Sequence, residues 1–376
     1  MSSGLNRRVL IVLDVSAGRA TTQVRGLRFQ KAFDANQWQV EFVDATTCSE
    51  DQICFKARDV DAVYLVKIRS LRLVRRLKAQ RAKVVFDLTD ALWKWRYRRT
   101  GWWDLEEILA LSDAVFSENE YVCAYARRFN NRVISIPVCT QVERFAEVRH
   151  TSQLAPSDRI VVGWVGSPST IAAIRNFQFV LEAVAQQHPQ VELVLLGVGS
   201  ERLPDWKFVR SRTIATYDED VMIREILAMH IGIYPPPEDI EDYRIRGAHK
   251  ALLYMTGGVA TVAQRAGDCE LKIDDGVTGM LASNDEEWIS KIGTLVESET
   301  LRTQIANAGA TVVRAEHSLA HVFDELAAAL TLVISTPSLP PTSLFHLARA
   351  RVPGLRAHIR FLGERVRRRA LKLFRR

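Results

Sequence analysis

The chain reads as an α/β protein of two Rossmann-like, parallel-sheet domains facing a cleft, followed by a basic C-terminal amphipathic tail. Three observations predict this. At 376 residues the chain exceeds what one compact core ordinarily holds. Short apolar runs rich in β-branched residues alternate with helix-period stretches, the order that builds a parallel sheet. The alternation breaks once, between Pro137 and Asp158, where Ala155, Pro156, Ser157 and Asp158 mark a hinge, and then restarts.

The first half predicts strands at Val9–Leu13, Gln39–Val43, Ala62–Val66, Lys83–Asp87, Ala114–Ser117 and Arg132–Ile136. Between them the helical period runs over 24–36, 70–80 and 119–129. The second half predicts strands at Ile160–Val165, Val191–Leu196, His230–Tyr234 and Val259–Ala263. Its helices are expected near 170–187, 219–229 and 248–256, and over 285–330. These strands are continuous apolar runs, as a sheet covered on both faces requires. The expected boundaries are 1–145 for the first domain, 146–158 for the hinge, 159–330 for the second domain, 331–344 for a Pro/Ser linker and 345–376 for the tail.

Composition narrows the class. The chain is 47% hydrophobic and 25% charged with 12 prolines, the balance of a globular protein rather than a disordered one. Its five cysteines are scattered without a CxxC pair, which argues against a disulfide framework or zinc site and fits a reducing cytoplasm. The N-terminal apolar stretch is too short for a secretory leader, and no run of about 18 apolar residues is present. The net charge of +7 is unevenly placed. Residues 346–376 carry 11 Arg and Lys against Glu364 alone, leaving the preceding chain with 40 basic against 43 acidic residues. The basic character belongs to the tail, so the body carries no nucleic-acid signature.

Ligands of open α/β sheets bind beyond the carboxyl ends of the strands, so the loops there hold the candidate site. The loop after the first strand, DVSAGR over 14–19, is not a GxGxxG dinucleotide fingerprint. After the fourth strand come Asp87 and Asp90, two carboxylates facing the cleft, with helix capping as the alternative role of Asp90. Trp93, Trp95, Trp102 and Trp103 follow, half of the eight tryptophans; they suit sugar or lipid contact, or a buried aromatic core. After Ile160–Val165, the residues Gly166, Ser167, Ser169 and Thr170 open a helix. Hydroxyls and free amides there make an anion site, or a cap alone. Beyond Tyr234, an acidic stretch leads to Arg244, Arg246 and Lys250 around Gly247 at a helix start, where helix dipole and side-chain charge would add on a diphosphate. Asp59-Val-Asp61 is literally DxD but precedes its strand, where an acidic turn is commonplace.

At this point the sequence resembles a known family. GWVGSPST over 163–170, KALLYMTGGVATV over 250–262 and DDGVTGML over 274–281 are similar to successive blocks of the retaining GT-B-fold glycosyltransferases related to family 4. VFDLTDAL over 85–92, FNNRVISIP over 129–137, Glu286–Trp288 and Leu301–Arg302 continue in order, and the likeness spans about residues 8–330.

The resemblance implies a nucleotide-sugar donor held mainly by the second domain, a glycan or lipid-linked acceptor facing the first, and no cofactor or metal. It implies donor contacts from Gly166, Ser167, Thr170, Arg246 and Lys250, with Arg246 and Lys250 neutralising the departing diphosphate. Asp90 would act near the acceptor or the transferred sugar, with Asp87 and Trp93 on the acceptor side. Ile245 and Leu253 stand where the family carries two glutamates, which would move ribose binding to Glu270, or to Glu238, Asp239 or Asp242. That departure keeps a catalytically inactive nucleotide- or sugar-binding scaffold as an alternative; a nucleotide-sugar epimerase is another. The tail mixes basic residues with Leu355, Ile359, Leu362, Val366, Ala370 and Phe374 at near-helical spacing, which reads as contact with an anionic membrane surface. The expected place is therefore cytoplasmic, peripheral at the inner face of a membrane, in envelope polysaccharide or glycolipid assembly.

Overall fold

The computed structural model describes residues 7–14, 20–89, 91–93, 103–151, 159–215, 218–236 and 243–338. Two six-stranded sheets form, each entirely parallel among the described strands. The first contains β1 (Arg8–Leu13), β2 (Gln39–Asp44), β3 (Ala62–Val66), β4 (Val84–Asp87), β5 (Ala114–Ser117) and β6 (Val133–Ser135), in the order β2-β1-β3-β4-β5-β6. The second contains β7 (Ile160–Val165), β8 (Val191–Leu196), β9 (Arg210–Ile214), β10 (Ile231–Tyr234), β11 (Ala260–Gln264) and β12 (Met280–Ala282), in the order β12-β11-β10-β7-β8-β9.

Helices cover both faces of each sheet. In the first half these are α1 (Ala20–Arg25), α2 (Gln30–Ala35), α3 (Glu50–Lys56), α4 (Leu71–Ala79), α5 (Trp103–Leu111) and α6 (Glu120–Ala126). Then come α7 (Val142–Thr151), α8 (Ala172–Asn176), α9 (Gln178–Gln187), α10 (Glu219–Leu227), α11 (His249–Thr256) and α12 (Gly267–Lys272). The last are α13 (Asp285–Glu297), α14 (Glu299–Glu316) and α15 (Leu319–Ser335). Every residue of β3, β4 and β5 is buried, which is why these strands read as unbroken apolar runs.

Several elements differ from expectation, each for a local reason. The helix expected over 24–36 is split at Gly26, where a Cβ would stand 2.6 Å from Leu13 Cδ2, so the chain must turn to pack on β1. The helical run over 285–330 is three helices, each begun by a side-chain cap from Asn284, Ser298 or Ser318. The polar edge strand β9 carries no apolar run, and the apolar β12, Met280–Ala282, is only three residues long, too short to announce a strand. Residues 146–151 of the expected hinge continue α7, and 331–335 of the expected linker continue α15. Residues 152–158 and the expected tail lie outside the described residues.

The chain crosses between the halves twice. Phe145 and Val148 of α7 join a core of the second half. Later α15 crosses back, and its Val322, Phe323, Leu326, Leu330 and Val333 bury against the first sheet with Phe29 and Phe33. The most apolar helical stretch of the described chain, within Glu299–Ser335, thus has this apolar stripe covered by protein. Lys83 fixes the end of α15 by donating to the carbonyls of Val333 and Thr336, 2.9 and 2.6 Å away.

Candidate functional site

In the second sheet the strand order reverses between β10 and β7, a topological switch point whose carboxyl ends open a crevice. Tyr254 of α11 clamps this point: its hydroxyl accepts from the Val165 amide at 2.7 Å and donates to the Ile233 carbonyl at 3.2 Å. Beyond β7, Ser167 leads into a tight turn over Pro168–Thr170. The Ser167 amide donates to Thr170 Oγ1 at 3.0 Å, and the Ser167 hydroxyl lies 3.0 Å from that of Ser169. Three hydroxyls are thereby gathered on one short loop.

Lys250, in the first turn of α11, reaches this loop. Its Nζ lies 3.5 Å from Thr170 Oγ1, 4.9 Å from the centre of the Trp164 ring and 5.6 Å from that of Tyr234. The residue is half-buried, with its ammonium end over the two rings. That burial, with the Arg246 cation nearby, pushes its pKa down to about 7. Gly166 makes room for the ring beneath the lysine: a Cβ there would fall 1.8 Å from Trp164 Cη2.

The start of α11 is fixed by a carboxylate. Asp268 of α12, 4% exposed, accepts the Ala248 amide at 2.9 Å, and burial pushes its carboxyl pKa up. Gly267 before it has φ +62°, and a Cβ would stand 2.7 Å from Arg244 Cα. Glu270, the acid expected to hold a ribose, is exposed on α12. Arg246 is half-buried beside Gly247. Ile245 and Leu253 are both buried, and Leu253 packs in the core of the second half. Glu238, Asp239 and Asp242 lie outside the described residues.

Across the seam, the first sheet presents its own carboxyl ends. Asp87 is completely buried: Arg25 donates to its Oδ2 from Nη2 at 2.7 Å and Nε at 3.0 Å, and the Tyr64 hydroxyl donates to the same oxygen. Arg25 also reaches the carbonyls of Ile136 at 2.8 Å and Pro137 at 3.2 Å. Asp87, expected on the acceptor side, is thus engaged in an internal network. Trp93 lies flat on Tyr125, 3.8 Å between centroids and 7° between planes, and packs on the first core. Asp90, Trp95 and Trp102 lie outside the described residues. Asp59 and Asp61 sit at the amino end of β3, where Asp61 accepts the Arg8 amide at 2.7 Å.

The two halves meet directly at this seam. Asn119, which caps α6, donates to the carbonyls of Arg246 at 3.1 Å and Arg244 at 3.4 Å. Beside it, Glu118 lies against Gly247 so closely that a Cβ at that glycine would meet Glu118 Oε1 at 2.4 Å.

No known family model matches the sequence, and no curated protein matches it. Solved structures do match. Sucrose-phosphate synthase from Thermosynechococcus elongatus superposes with a TM-score of 0.66 at 14% identity, over 88% of this chain and 99% of that one. HepE of Anabaena, in complex with UDP and glucose, gives 0.61 at 12% identity over 87% and 100%. A glycosyltransferase from Rickettsia africae gives 0.60 at 13% identity over 89% and 100%. The chain has the GT-B fold.

At these identities the likeness is one of fold, and the site rests on this chain's own residues. In the GT-B arrangement the seam between the two sets of strand ends is the interdomain cleft. There the structure brings together Gly166, Ser167, Thr170, Arg246 and Lys250, and it leaves Glu270 on the surface of α12. Sequence reasoning missed Asp268, Tyr254, Arg25, Glu118 and Asn119. Asn119 had a local signal, an Asn just before a helical period. The others act across long separations that no short motif records.

Proposed function

We propose that this protein is a retaining, metal-independent glycosyltransferase that moves a sugar, of the hexosyl class, from a nucleotide-sugar donor to a glycan or lipid-linked acceptor. The observation that carries the reading is Lys250. It stands in the first turn of α11, at the switch point of a GT-B second domain, beside the hydroxyl loop of Ser167 and Thr170. A helix start, a lysine and a neighbouring Arg246 supply positive potential where a diphosphate would leave, and the hydroxyls supply hydrogen bonds.

In this reading the protein positions the reactants and stabilises charge. Arg246 and Lys250 neutralise the departing diphosphate, which takes the acceptor's proton on the same face. The role of Asp90 is to act on the acceptor or the transferred sugar, with Trp93 as part of the acceptor wall. The basic segment 345–376 holds the enzyme on the cytoplasmic, anionic face of a membrane, in envelope polysaccharide or glycolipid assembly. HepE was solved with UDP, so UDP is the first nucleotide to try.

Thermal unfolding against UDP, GDP, ADP, CMP and dTDP and their sugars, with and without EDTA, tests the reading. A ligand at about 100 times its Kd stabilises by about 2.7 kcal/mol. The expected result is an EDTA-insensitive rise in Tm with one nucleotide family. No rise with any nucleotide would overturn the donor site. A second reading, a binding scaffold without turnover, is favoured by Leu253, whose buried aliphatic side chain offers a ribose nothing to bond; nucleotide binding without product from any acceptor would select it.

A further inference from the structure

Four described carboxylates stand out around the cleft, and their surroundings separate them. Asp87 is enclosed and held by Arg25 and Tyr64. Asp268 is buried on the Ala248 amide. Glu270 points to solvent from α12. Glu118 alone lies in the seam, half-buried, with its Oε1 against the backbone of Gly247.

That position is built rather than incidental. Glu118 follows β5 directly, and the neighbouring Asn119 ties this corner to the carbonyls of Arg244 and Arg246. Residues 118–119 are therefore held in register with the loop that enters α11. Any side chain at position 247 would displace the carboxylate, so Gly247 is the opening through which it reaches the second domain. Its charge acts on Arg25 of the first half and on Tyr234 of the second, placing it between the two sets of strand ends.

This inference rests on the donor site proposed above. In that reading a diphosphate seated at Lys250 and Arg246 leaves its sugar close to the seam, because Arg246 adjoins Gly247, against which Glu118 lies. We infer that Glu118 binds hydroxyls of the transferred sugar, with Gly247 as the residue that admits it. An ionised carboxylate accepts from adjacent hydroxyls on both oxygens and discriminates strongly against a ligand lacking them.

Calorimetric titration of UDP and UDP-glucose, with UDP-galactose and UDP-N-acetylglucosamine in parallel, into the intact protein, Glu118→Gln and Gly247→Ala tests this. The readout is the affinity for each UDP-sugar divided by that for UDP. In Glu118→Gln that ratio should fall about tenfold for at least one sugar, as expected for lost charge-assisted hydrogen bonds, while UDP affinity stays near its starting value. Gly247→Ala keeps the charge but moves it, and should lower the same ratio. An unchanged ratio for every sugar in both variants would remove Glu118 from the sugar site and leave the donor reading standing. Failure of UDP to bind the unsubstituted protein would remove the UDP donor site and this inference together.

Discussion

Arg25 and Asp87 form a fully buried ion pair in which two guanidinium nitrogens, 2.7 and 3.0 Å away, converge on a single carboxylate oxygen. The same arginine holds the carbonyls of Ile136 and Pro137, where the first sheet ends and the chain leaves for the second half. Breaking one partner of such a pair strands the other charge in the interior. Asp87→Asn and Arg25→Met should therefore each cost about 3 to 5 kcal/mol in urea unfolding. A loss below about 1 kcal/mol would contradict a structural role and return Asp87 to the list of ligand contacts.

If the donor seat proposed above is correct, Lys250 should make nucleotide-sugar binding depend on pH near neutrality. Its pKa in the free protein is pushed down to about 7, so it is largely neutral at pH 8. A bound diphosphate favours the ammonium form and draws in a proton. Affinity for UDP-glucose, whose phosphates do not titrate between pH 6 and 8, should be flat below about 7 and weaken above it, by at most about tenfold per pH unit. Lys250→Met should bind more weakly and lose that slope. A wild-type affinity that is level from pH 6 to 8.5 would show that Lys250 does not meet the phosphates.

How much of this was legible beforehand follows from the physics of each element. Strands β1, β3, β5, β7 and β8 announce themselves because a sheet covered on both faces demands unbroken apolar runs. Strand β9, RSRTI, is an edge whose exposed Arg210, Arg212 and Thr213 resemble loop chemistry. The grouping of Ser167, Thr170 and Lys250 was readable because each lies just after a strand or at a helix start, the ends of an open sheet that face a crevice. The contacts of Glu118 and Asn119 with residues 244–247 span more than 120 positions, a distance over which sequence spacing says nothing. Asp268 and Glu270 share one short helix, and only packing decides which faces α11.

The crossings between halves are weak points in acid. His317 joins α14 to α15 and is 1% exposed; the Nδ1–H of its neutral ring donates to the Val138 carbonyl at 2.9 Å, and the Thr140 amide donates to the His317 carbonyl at 2.8 Å. Burial pushes the His317 pKa down and brings that of His249 to about 4. Both are lowered in the fold, so the unfolded chain binds more protons. Stability is therefore full above about pH 6.5 and falls as pH drops toward 4, by at most about 1.4 kcal/mol per pH unit for each histidine. Denaturant midpoints at pH 7.5, 6 and 5 should show this decline, with a shallower slope in His317→Asn. Equal slopes in the two proteins would place the acid sensitivity elsewhere.

Substitutions at two glycines of β7 and its loop should separate the stability of the second sheet from the ligand binding proposed for it. A Cβ at Gly166 would fall 1.8 Å from Trp164 Cη2, so Gly166→Ala must push the indole aside, and Lys250 loses the ring that carries it. A Cβ at Gly163 would instead fall 2.0 Å from Met229 Sδ and 2.5 Å from its Cγ and Cε, along a flexible thioether chain. Overpacking costs about 1 to 3 kcal/mol in either place. Only Gly166→Ala should also weaken UDP-glucose binding, because only there does the displaced group touch Lys250. Calorimetry on both variants, at a temperature where each is folded, decides it: equal losses of affinity would mean that general softening of the sheet, and not the Trp164–Lys250 contact, governs the site.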